Sequence, residues 1–137
     1  MWVFNPKREI MRAYFLTNMY LSSIQHGIQS GHCLQEINNK YKIGGTDQAL
    51  TLFDWAENHK TWYVLNGGTS EQMQHILQFF KWESNPYPWA YFKEPSLDDA
   101  LTCVGIIVPE SLYTKEHDFG TFDFELQTLL KSKRFAK

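Results

Sequence analysis

An apolar run from Ile10 to Leu16 (Ile-Met-Arg-Ala-Tyr-Phe-Leu) stands directly before a helix-length segment reaching about Tyr41. The same order, strand then helix, returns at Thr61 to Leu65 and Thr69. A chain that alternates in this way has few solutions, because parallel strands need a crossover and the crossover helices then cover the sheet faces. The expected class is α/β. Thr17 and Asn18 close the first strand, and Ser22 or Ser23 supplies a hydroxyl to cap the helix that follows. In that helix Ile24, Ile28, Gly31, Leu34, Ile37 and Tyr41 recur at three- and four-residue spacing, which predicts a stripe facing the core. Gly27 and Gly31 each weaken the helix by roughly 1 kcal/mol relative to Ala, so close packing against a neighbour is expected there.

Gly44-Gly45 breaks the chain, and Thr46 opens a second helix with Ala49, Leu52, Phe53 and Ala56 on one face. Asn66-Gly67-Gly68 leads into a third helix opened by Thr69 with Gln72 three residues on, the capping-box pattern, and Ile76, Leu77, Phe79 and Phe80 form its buried side. Trp89 to Phe92 and Leu101 to Val108 predict two more strands with Asp98-Asp99 in the turn between them. A last helix, about Phe122 to Lys133, places Phe122, Leu126, Leu129 and Leu130 on one side, enough to dock on the body or on a second subunit. The 137 residues suit a single domain, with a core at about 11–110, an N-terminal extension at 1–10 and a C-terminal helical extension at 111–137.

The formal net charge of −2 gives no overall basic field for nucleic acid, so any phosphate contact must be local. The local candidates are Lys131, Lys133, Arg134 and Lys137, with a smaller group at Lys7, Arg8 and Arg12; a solvated tail is the plain alternative. Cys33 and Cys103 have no metal-type spacing. With no signal peptide or long apolar run, a reducing cytoplasmic setting and no membrane association are expected. Met1-Trp2-Val3-Phe4 is too short for a membrane span and is read as a packed extension. No cofactor and no metal are expected, since His26, His59, His75 and His117 form no ligand motif.

Gln25, Gln29, His32 and Glu36 fall within about 60° of one another at 100° per residue, opposite the predicted core stripe. Such a face is either simply solvated or, lacking Lys and Arg, suited to reading the hydrogen bonds of a base, ribose or amide. The segment Phe92-Lys93-Glu94-Pro95-Ser96-Leu97-Asp98-Asp99-Ala100-Leu101-Thr102 supplies a second polar cluster. Asn66-Gly67-Gly68-Thr69, a strand-to-helix joint, is read as a tight connection rather than a phosphate loop.

The order of elements, the helix carrying Gln29-Ser30-Gly31-His32, the strand before Asn66 and the ending Cys103-Val104-Gly105-Ile106-Ile107-Val108-Pro109 resemble the type 2 peptidyl-tRNA hydrolase superfamily, over roughly Met11 to Glu110. The resemblance implies a four-stranded mixed sheet with helices on both faces, commonly dimeric or in a higher homo-oligomer. It places the family's essential lysine at Gln25, the glycines around it at Ser22 and Ile24, and its loop aspartate near Glu94. Glutamine offers a neutral amide where an ammonium would stabilise an oxyanion, so hydrolysis is expected to be lost or reduced.

Three functions follow as expectations. The first is a non-catalytic protein holding a nucleotide, a cyclic oligonucleotide signal or an RNA end through Ser22, Gln25, Gln29, His32, Glu36, Glu94, Asp98 and Thr102. Compact members of this superfamily in large tailed phages look similar, which extends this expectation to a phage counter-defence role. The second is peptidyl-tRNA hydrolysis with His32 and Glu94 or Asp98 positioning water and Lys131, Lys133 and Arg134 on tRNA phosphates. The third is a protein-interaction module.

Overall fold

The computed structural model describes residues 9–137. The expectations for Met1 to Phe4, and the Lys7 and Arg8 part of the N-terminal basic group, lie outside them. The elements in order are β1 (Arg12–Asn18), α1 (Ser23–Lys40), α2 (Asp47–Asp54) continued by a π-helical turn (Trp55–His59), β2 (Trp62–Gly68), α3 (Ser70–Phe80), β3 (Trp89–Glu94), a 3-10 turn (Pro95–Leu97), β4 (Ala100–Val108), α4 (Glu110–Thr114) and α5 (Phe122–Ser132). The class is α/β, with one mixed four-stranded sheet in the order β2-β1-β4-β3. β1 runs parallel to β2 and antiparallel to β4, and β3 is antiparallel to β4.

Both faces of the sheet are covered. On one, Ala13, Phe15, Cys103 and Ile107 pack with Cys33 and Ile37 of α1 and Ala49 and Leu52 of α2. On the other, Tyr14, Leu16, Val104 and Ile106 pack with Met73, Ile76, Leu77 and Phe80 of α3 and Phe122 and Leu126 of α5. This alternation along β1 and β4 is the two-residue period of a strand buried on both sides. Ser22, Thr46 and Thr69 each accept a first-turn backbone N–H, as the sequence implies with Ser22 chosen over Ser23, and Thr69 with Gln72 completes the capping box; Thr121 caps α5 in the same way.

Several expectations are corrected. β1 starts and ends two residues later than the apolar run, because the backbone ladder continues through Thr17 and Asn18 to Asn66 and Gly68. β2 likewise extends through the glycines that the sequence suggests as a connection. Phe53 stays partly exposed at 38%. Phe79 is only half-buried, stacking on Phe122 at 4.6 Å, and Met73 takes the inner position.

The largest correction concerns α1. Its buried residues are His26, Gln29, Ser30, Cys33 and Ile37, while Ile24 is 73% and Ile28 43% exposed. The helix is thus turned so that part of its polar face meets the sheet. Gly27 and Gly31 do not mediate close packing: a Cβ built on either meets nothing within 4 Å. Gly27→Ala is therefore expected to stabilise the protein by about 0.5–1 kcal/mol, through the helix propensity it restores without a clash. Urea denaturation measures this, and a loss of stability would show that the glycine is needed.

The C-terminal segment is not a free tail. Phe135 bridges Leu65, Asn66 N–H donates to Arg134 O at 2.7 Å, and Ala136 N–H donates to Val64 O at 3.0 Å. These bonds cover the otherwise open edge of β2, a common way to keep an edge strand from pairing with other chains.

Candidate functional site

α1 lies along β3, and residues advancing along the helix meet residues receding along the strand: Gln29 with Glu94, His32 with Phe92, Cys33 with the Ala90 carbonyl, and Lys40 with Trp89. The crevice between them carries the polar face.

At its head sits a buried amide relay. Thr102 Oγ1 donates to Gln29 Oε1 at 2.7 Å, and Gln29 Nε2 donates to Glu94 Oε1 at 3.0 Å and to Gln25 Oε1 at 3.3 Å. Gln29 is only 1% exposed, so these partners are what makes its burial tolerable. The reach of Thr102 depends on a break in register. Phe92 pairs with Cys103 but Lys93 pairs with Leu101, leaving Thr102 as the extra residue of a β-bulge. The bulge turns its side chain towards α1, on the same side as Cys103. Glu94 also accepts from the Ser96 N–H at 3.2 Å, capping the 3-10 turn. The Gln29 amide first, then the Ser96 backbone, hold the Glu94 carboxyl below its ordinary value, so it is ionised at neutral pH. Among the described residues no Lys or Arg forms an ion pair with it.

The other expected residues separate. His32 is exposed, its ring 4.9 Å from that of Phe92. Glu36 is exposed and lines a cavity of about 550 Å³ between α1 and β3 with Lys40, Tyr91 and Lys93, which Gln25, Gln29, His32 and Glu94 do not line. Ser22 is spent on capping α1 through Gln25 N. Asp98 is exposed in a left-handed conformation (φ 53°) at the turn, and no bond of the relay reaches it. Lys131, Lys133 and Arg134 belong to α5 and the strand-like segment beside β2, at the sheet edge opposite β3, and do not join the crevice. Cys33 and Cys103, far apart in sequence, meet as free buried thiols, and burial pushes the Cys103 thiol up.

The buried histidine of α1 is one that the sequence did not place at the site. His26 is buried, with Nδ1 2.5 Å from Thr17 Oγ1. The signal available was its position three residues before Gln29, on the flank of the polar face. Burial lowers the His26 pKa from 6.5. The native state thus holds a neutral ring that the unfolded chain would protonate, so its contribution is complete above about pH 6.5 and is lost as pH falls towards the lower native value. Urea denaturation of the wild type and His26→Gln should diverge in pH slope over that window; a His26 ring titrating by NMR at or above 6.5 would contradict it. Among the described residues no group of acids, histidines and cysteines could hold a metal ion, and no helix is long and apolar enough to cross a membrane.

No protein-family model, curated protein or solved structure matches the chain.

Proposed function

We propose that this chain is a non-catalytic binding protein, built on a scaffold like that of the type 2 peptidyl-tRNA hydrolases, which holds a nucleotide-type ligand at the head of the α1/β3 crevice. The observation that carries this reading is the commitment of Gln29. Its oxygen is taken by Thr102 and its amide group by Glu94 and Gln25, so what the crevice offers a ligand is the Glu94 carboxylate beside the Gln25 amide and the His32 ring on Phe92. A carboxylate and an amide accept hydrogen bonds from ribose hydroxyls or an exocyclic amine, and an imidazole stacked on an aromatic ring extends a surface on which a base can lie. Acyl transfer is helped by donors or positive charge aimed at the developing oxyanion, and a cation is the stronger of the two. Glu94 has no Lys or Arg partner among the described residues, and Gln25 supplies only a neutral amide.

A thermal-shift screen of mononucleotides, dinucleotides and cyclic oligonucleotides tests this directly, since a ligand of the native state raises the melting temperature by mass action. At least one should raise it in the wild type, and Glu94→Gln should abolish the rise. Turnover of peptidyl-tRNA by the wild type, lost in His32→Ala, would replace this reading with the hydrolase. No shift with any nucleotide would remove the nucleotide class altogether.

A further inference from the structure

On the other face of the sheet, β1 opens with a cation that has no carboxylate partner among the described residues. The Arg12 guanidinium lies 3.7 Å from the centre of the Tyr113 ring and 5.3 Å from that of Tyr63, and Nη1 donates to Tyr14 Oη at 3.3 Å. Two aromatic contacts and one phenol hold the planar fork in place. Arg12 lines a cavity of about 240 Å³ together with Tyr14, Tyr113, Gln127, Leu130 and Lys131. Among the described residues no carboxylate pairs with Arg12 or Lys131, and residues 1–8 contain no acidic side chain. Glu110, whose charge acts on Tyr113, is turned to the Ile10 N–H at 3.3 Å.

Several polar groups around the cavity are already committed. Tyr14 Oη accepts from Arg12, which leaves its own proton free. Tyr113 Oη donates to Ile10 O, and Gln127 Nε2 is taken by the carbonyls of Leu112 at 2.8 Å and Lys115 at 2.7 Å. The groups left over are the remaining Arg12 N–H donors, the Lys131 ammonium and the Tyr14 hydroxyl, with Gln127 Oε1 as an acceptor. We propose that this cavity binds a phosphate group, free or carried on a small ester. A planar carboxylate matches the Arg12 fork alone, whereas a tetrahedral oxyanion also has oxygens for Lys131 and Tyr14. The one proton of a phosphate monoanion has Gln127 Oε1 to receive it. The cavity is separate from the crevice, because Arg12 and Thr17 stand five residues apart on β1, roughly 17 Å at the rise of a strand, with Thr17 towards α1 and Tyr14 towards α3 and α5.

Titration calorimetry of the full chain with inorganic phosphate, glycerol phosphate and succinate, with the Arg12 Nε–H and Tyr14 amide signals followed by NMR, provides the test. Saturable phosphate binding with both signals moving is expected. Lys131→Ala, an exposed change, should weaken it several-fold, and Arg12→Lys, which keeps the charge but loses the fork, about tenfold or more. Tighter binding of glycerol phosphate would identify an ester as the ligand, and equal binding the free anion. Glu94→Gln should leave phosphate binding unchanged, so failure of the nucleotide reading and failure of this one remain distinguishable. The proposal is overturned by an absence of saturable phosphate binding, by succinate binding as tightly, or by affinity that survives both variants.

Discussion

Gly105→Val is expected to destabilise the protein by about 3 kcal/mol or more, the upper end for overpacking a filled core. Gly105 sits in β4 between Phe15 of β1 and Ala90 of β3. A Cβ there would stand 2.6 Å from Phe15 Cδ1 and 3.1 Å from Cys33 Sγ. Neither neighbour can give way, because Phe15 and Cys33 are both fully buried. The Phe15 ring uses the missing side chain, lying across the glycine backbone while α1 approaches over it, so added carbon must push the helix off the sheet. Displacing α1 also moves Gln29 away from Thr102, and the crevice should lose its ligand along with stability. Urea denaturation measures the loss; a Val variant within about 0.5 kcal/mol of wild type would show that the packing between α1 and β4 is looser than described.

Gln29→Glu should destabilise the protein clearly at neutral pH and much less in acid. The substituted side chain can still accept from Thr102, but it sets a second carboxylate where the amide now donates to Glu94 at 3.0 Å. Two carboxylates at that distance cannot both stay ionised at low cost, and the partial exposure of Glu94 keeps the penalty from being larger. The pair would hold a shared proton in the native state, raising its pKa above that of the unfolded carboxyls. Its stability is then fully present below about pH 4 and is lost as pH rises through the raised native value. Denaturation of Gln29→Glu and Gln29→Met across pH separates the effects: both lose the amide, but only the first should show the slope. If the two run parallel, the Gln29–Glu94 contact does not carry the head of the crevice.

Apart from α4 and the π- and 3-10-helical turns, the order and type of the elements were legible in the chain because each rests on local physics. Ser22, Thr46 and Thr69 cap helices through bonds spanning three residues, and the apolar runs at β1, β2 and β4 are read from their own neighbours. The C-terminal helix was legible for the same reason, from Phe122, Leu126, Leu129 and Leu130. The facing of the first half of α1 was not, although Ile37 and Tyr41 of the expected stripe are buried. Its isoleucines and its amides form two stripes on one helix, and ordinary hydrophobicity favours the isoleucines. What reversed the choice are bonds from far along the chain: Thr102 reaching Gln29 across 73 residues and Thr17 meeting His26 from the strand before. Thr102 is in position only because β4 bulges opposite β3, a register break between two strands that neither strand's pattern announces.

The same division runs through the two candidate sites. Residue spacing was enough to group Gln25, Gln29, His32 and Glu36 on one side of a helix, since 3.6 residues per turn is a property of the backbone. Whether that side met water or sheet depended on compensation: a buried amide costs free energy unless its partners arrive, and they arrive from β3 and β4. Arg12 tells the same story. Its charge is written in the chain, but the tyrosines from β1, β2 and α4 that hold it come together only once distant segments have folded.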